Sequence, residues 1–116
     1  MEIKTISLPR LNNLSPTMES TALKLMEETG ELAQAIGKFR GLNGEPVTVA
    51  EKEVIKMITK ELLDVAQTAV SMMFVIEEAY GVSIEDAVKE HINKLVQKGY
   101  LAPDIRAEKP NELPGV

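Results

Sequence analysis

The sequence predicts an all-α fold, a helical bundle completed by association with further copies of itself. Three observations lead there. Ser, Thr, Pro and Gly punctuate the chain into three long helical segments. No useful length of it alternates apolar and polar residues as a half-buried strand does. Apolar residues reach 44%, yet aromatics are only 3% and there are six Met, so the core is aliphatic and suits packed helices.

An irregular arm comes first. Ser15 followed by Pro16 reads as an N-cap and first helical position. That helix runs to Arg40, with Lys38 and Arg40 in its last turn and Gly41 beyond it. After the loop GLNGEPV, Thr48 with Glu51 forms a T-x-x-E capping box that opens the second helix. It extends to about Tyr80, where Gly81 stops it; so long a helix has room for a break near Lys56–Thr59. Ser83 caps a third helix, with Asp86 at the box position, and Gly99 ends it after Lys98. This divides the chain into a helical domain over residues 1–101 and an extended tail, 102–116, carrying Pro103, Pro110 and Pro114.

The second helix carries the argument for association. From Leu62 to Ile76 nearly every residue is apolar, and the polar Lys60, Glu61, Asp64, Gln67, Thr68 and Ser71 share one arc of the helical wheel. A helix apolar over most of its circumference must be surrounded on most sides. Three helices from one chain can hardly do that, so a second copy is expected to supply the missing wall, as a homodimer or homotetramer.

Composition narrows the partners. A net charge of −5 argues against a nucleic-acid polymer or an anionic membrane surface. It leaves a nucleotide open, because a bound metal reverses the local sign. With no Cys there is no disulfide framework, zinc-thiolate site or Cys nucleophile. The opening MEIKTISLPR lacks the apolar core of a signal peptide, and the longest apolar stretch, Ala69–Ile76, is too short to span a bilayer. The expected setting is the cytoplasm.

Four acids stand out in two pairs: Glu28 and Glu31 in EETGE, Glu61 and Asp64 in ELLD. The i, i+3 spacing puts each pair on one helix face, where like charges repel by roughly 0.2–0.5 kcal/mol when exposed. The bland reading is a solvated face, with Lys24 pairing Glu28 at i, i+4. Against it, Leu23, Leu25, Met26, Leu32, Ala33, Ala35 and Ile36 surround the first acids, and the second pair sits on the otherwise apolar helix. Four acids gathered at a helix contact need a counter-charge, and a hard divalent cation such as Mg²⁺ is the simplest.

These segments resemble a known family. KLMEETGELAQAIGKFRG, then KELLDVAQTAVSMMFVIEE, then HINKLVQKGYL are similar to the MazG-like all-α nucleoside triphosphate pyrophosphohydrolases, over roughly Thr21 to Leu101. The resemblance implies hydrolysis of an NTP or dNTP to monophosphate and pyrophosphate with Mg²⁺, or Mn²⁺ in its place, in cleaning the nucleotide pool. It implies metal binding by Glu28, Glu31, Glu61 and Asp64. Glu27, the first Glu of the extended E-E-x-x-E form, would position or deprotonate the attacking water alongside Glu28. Lys94 and Lys98 fall where relatives carry phosphate-facing basic residues, although many relatives have Arg at the position of Lys98. A lysine holds phosphate as a point charge, without the bidentate fork of arginine.

Other candidates fit poorly. A ferritin-like di-iron site needs Glu-x-x-His, and Val88 stands three residues before His91, the one histidine. No Gly-rich phosphate loop is present. Lys38 and Arg40 are placed well for a helix C-terminus without any phosphate role. The rival reading from another class is a non-catalytic helical oligomer, an interaction or regulatory module on the same fold.

Overall fold

The computed structural model describes residues 1–40 and 51–103. They form three α-helices and, among the described residues, no strand: α1 (Met18–Arg40), α2 (Glu51–Tyr80) and α3 (Ile84–Gln97). The expected Thr48 cap, the Gly41–Val47 loop and most of the tail lie outside the described residues. The chain divides into two compact units, one of Ser7–Val82 and one of Met1–Ile6 with the chain from Ser83 onward.

In the first unit α1 packs along α2. The start of α1 corrects one expectation. The cap is Thr17, not Ser15, so Pro16 precedes the helix instead of opening it. The Thr17 hydroxyl accepts from the Ser20 backbone N–H at 3.0 Å, and the Ser20 hydroxyl accepts from the Thr17 N–H at 2.8 Å. That is a reciprocal capping box with Ser in place of the usual Glu. A second expectation also shifts. α2 runs unbroken through Lys56–Thr59, and the Thr59 hydroxyl donates to the Ile55 carbonyl at 2.8 Å without interrupting it. It ends at Gly81, whose φ of 68° is left-handed and whose N–H reaches the Glu77 carbonyl at 3.0 Å.

The residues that α1 and α2 bury have a seven-residue rhythm. On α1 they are Thr21, Glu28 and Ala35; on α2, Val54 and Thr68 keep the rhythm with half-buried Glu61 between them, and Ser71 is buried one turn beyond. Such spacing keeps one seam facing a partner helix. Thr21 lines a cavity with Thr68 and Ser71, and Glu28 meets Glu61 and Asp64, so the helices run antiparallel. The seam is small and polar where a self-sufficient core would be large and apolar. Among the described residues only Ala35 and Val54 are buried hydrophobics, while Leu23, Met26, Leu62 and Leu63 are exposed.

In the second unit Ser83 caps α3 by accepting from the Asp86 N–H at 3.2 Å. The helix closes in a Schellman motif: the Tyr100 N–H bonds the Leu95 carbonyl and the Gly99 N–H bonds Val96, each at 3.0 Å. Gly99 takes φ 80° to make that turn.

Candidate functional site

Glu28 is the hub of the first unit's acids. The α1 rhythm carries it into the seam, where it is 6% exposed. On its own helix it meets Glu27 and Glu31; across the seam it meets Glu61 and Asp64. Each of these two trios brings one carboxylate oxygen per residue within 4.8 Å of the others. Lys24 supplies a facing positive charge. Its ammonium reaches Glu28 at 3.1 Å and Glu27 at 3.2 Å.

The electrostatics follow from this crowding. The Glu31 carboxyl is held above the ordinary glutamate value, chiefly by the charge of Glu28, then by lost hydration, then by Glu61 and Glu27. The Lys24 ammonium is raised above the ordinary lysine value by its hydrogen bonds to Glu28 and then Glu27.

The donor set fits a hard divalent cation. All the donors are carboxylate oxygens, the ligand type that Mg²⁺ prefers. With metal–oxygen distances of about 2.1 Å, octahedral ligands stand ~3 Å apart as neighbours and ~4.2 Å apart across the ion. Oxygens already within 4.8 Å of one another need little movement to meet that geometry.

Beside the acids lies a cavity of about 650 Å³, with Lys24, Glu28, Asp64, Gln67, Thr68 and Leu14 among the residues that line it. Its outer wall is the arm ahead of α1. Gln67 donates to the Pro9 carbonyl at 2.8 Å. The Arg10 guanidinium lies over the Phe74 ring, 5.6 Å from its centroid, and pairs with Glu78. These contacts hold an irregular segment against a helix.

The structure thus brings Glu27, Glu28, Glu31, Glu61 and Asp64 together. Lys94, in the last turn of α3, and Lys98, its C-cap, belong to the other unit. Sequence reasoning missed the arm as a wall and the second bond of Lys24. The second was within reach, since Glu27 and Glu28 stand at i+3 and i+4 from Lys24. No local signal announces that Gln67 takes up Pro9, fifty-eight residues away.

Comparison with known proteins bears on the family of the chain. The model of the MazG nucleotide pyrophosphohydrolase domain matches residues 16–99. An uncharacterized protein of Bacillus subtilis (strain 168), YvdC, is 35% identical over 75 residues, which cover 64% of this chain and 68% of that protein. No solved structure matches significantly.

Proposed function

The chain belongs to the MazG nucleotide pyrophosphohydrolase family, and from that premise we propose that it is a divalent-metal-dependent hydrolase. Its reaction converts a nucleoside or deoxynucleoside triphosphate to the monophosphate and pyrophosphate, in cleaning the nucleotide pool. The observation that carries the proposal is the shared position of Glu28, buried and common to both acidic trios.

Glu28, Glu31, Glu61 and Asp64 would hold the metal, Mg²⁺ with Mn²⁺ as a substitute. Such a cation neutralises phosphate charge and polarises the reacting phosphorus. The chain's own groups do the rest. A Glu27 carboxylate oxygen accepts a proton from the attacking water, with Glu28 beside it. The water oxygen bonds to the α-phosphorus, the bond from that phosphorus to the α–β bridging oxygen breaks, and pyrophosphate departs with the electron pair. Lys94 and Lys98 contribute positive charge to the phosphates.

Association belongs to the same proposal. Leu62 is 52% exposed and Leu63 46%, on a helix whose polar arc already faces α1. A homodimer or homotetramer would cover that apolar face. Among the described residues no helix is long and apolar enough to cross a membrane, and a cytoplasmic setting is proposed with the nucleotide substrate.

The test is a panel of NTPs and dNTPs incubated with Mg²⁺ or with EDTA, with the products resolved. Monophosphate and pyrophosphate formed only with metal are expected. Asp64→Asn should lower kcat/KM roughly 100-fold or more, in line with the 10–100-fold cost of disturbing even the supports of a metal site. No turnover of any nucleotide by folded, metal-saturated protein would favour the non-catalytic helical oligomer.

A further inference from the structure

The geometry points to Lys24 as an exchangeable counter-ion: its ammonium neutralises Glu28 before a divalent cation binds, gives way to that cation, and then serves the anionic phosphates of the substrate in the adjoining cavity. The inference rests on the metal-dependent reading above and adds a role for a residue outside the acidic set. Its basis is the position of the ammonium, 3.1 Å from a carboxylate oxygen of Glu28 and 3.2 Å from one of Glu27. Glu28 is common to both trios, so a cation placed in either meets the ammonium across the same carboxylate. Lysine and a divalent ion cannot both sit at that carboxylate without strong repulsion. The ammonium has somewhere to go. Its side chain is 55% exposed, against 8% for Glu28, and it ends a flexible four-carbon stem. It also lines the cavity together with Glu28 and Asp64. A triphosphate entering there brings the negative charge that the displaced ammonium has lost.

The experiment is Mn²⁺ binding to the full chain near neutral pH without nucleotide, read by the EPR signal of free Mn²⁺. It compares the native protein, Lys24→Met and Lys24→Gln, with folding checked by circular dichroism. Lys24 is exposed on a helix, and both replacements are good helix formers. Loss of two ion pairs of ordinary surface strength predicts about three- to fivefold tighter Mn²⁺ binding in both variants. KM for the nucleotide should rise several-fold, with kcat changed less, and Lys24→Arg should restore it. Unchanged or weaker Mn²⁺ binding by the folded variants, or an unchanged KM, overturns the exchange while leaving the metal site in place. Failure of the native protein to bind Mn²⁺ overturns the metal-dependent reading itself.

Discussion

Glu31 shows how one side chain reports the charge of the whole cluster. Its carboxyl is raised above the ordinary glutamate value because Glu28, first, and then lost hydration, Glu61 and Glu27 disfavour its charged form. A raised folded-state value means that the folded protein holds the proton more tightly than the unfolded chain. The stability this contributes is full below the ordinary glutamate value and is lost as pH rises through the raised one. Metal-free protein should therefore lose thermal stability over that window, and Glu31→Gln should flatten the loss. Melting curves in EDTA across the window test this; superimposable profiles would remove Glu31 as the cause. The effect is modest, because Glu31 is exposed and solvent screens it. The i, i+3 spacing was legible in the sequence. The ordering of the acids around Glu28 was not, because it depends on which face of α2 meets α1.

Each helix is a local solution to the same problem, the unpaired backbone groups at its ends. α3 solves it with the Ser83 cap and the Gly99 turn, both readable from the sequence. α1 differs, because Ser15 precedes a proline as a cap should, yet it is the Thr17 hydroxyl that meets a free N–H. Thr17→Ala should cost about 1 kcal/mol, the usual value of a cap, and Ser15→Ala should be close to neutral. Denaturant unfolding of the two variants distinguishes the caps; an equal loss from both would restore Ser15. On α2 the wheel showed the polar arc and the wide apolar face. It did not show that the polar arc would be the packed one. That outcome follows from the seven-residue alignment of Thr21, Glu28 and Ala35 with Val54, Glu61 and Thr68.

At the scale of the whole molecule, the described residues bury one acid, Glu28, and the hydroxyls of Thr21, Thr68 and Ser71 while leaving Leu23, Met26, Leu62 and Leu63 in solvent. Apolar burial is the main drive to folding, at about 25 cal/mol per Å². A chain that spends its internal seam on Glu28 and Thr68 has to find that burial elsewhere. Under the proposed association, native protein should sediment as a dimer or tetramer, and Leu62→Glu should shift it toward monomer. A monomeric native protein at micromolar concentration would remove the proposal. Under this proposal the acids and the association are linked: the seam would be free to hold a metal because the apolar faces would be covered from outside.

By itself the sequence determined the helical class, the end of α2, both ends of α3, and the i, i+3 spacing of the two pairs of acids. It could do so because capping, turn chemistry and i, i+3 neighbours are local, settled within a few residues. The tertiary structure alone decided that Thr17 starts α1, that Glu28 is the buried acid shared by both trios, and that Gln67 and Arg10 pin the arm beside the cavity. Those depend on the register between α1 and α2 and on contacts across some sixty residues. A periodic sequence shows that a face exists, but the partner that meets it is chosen only when the helices pack.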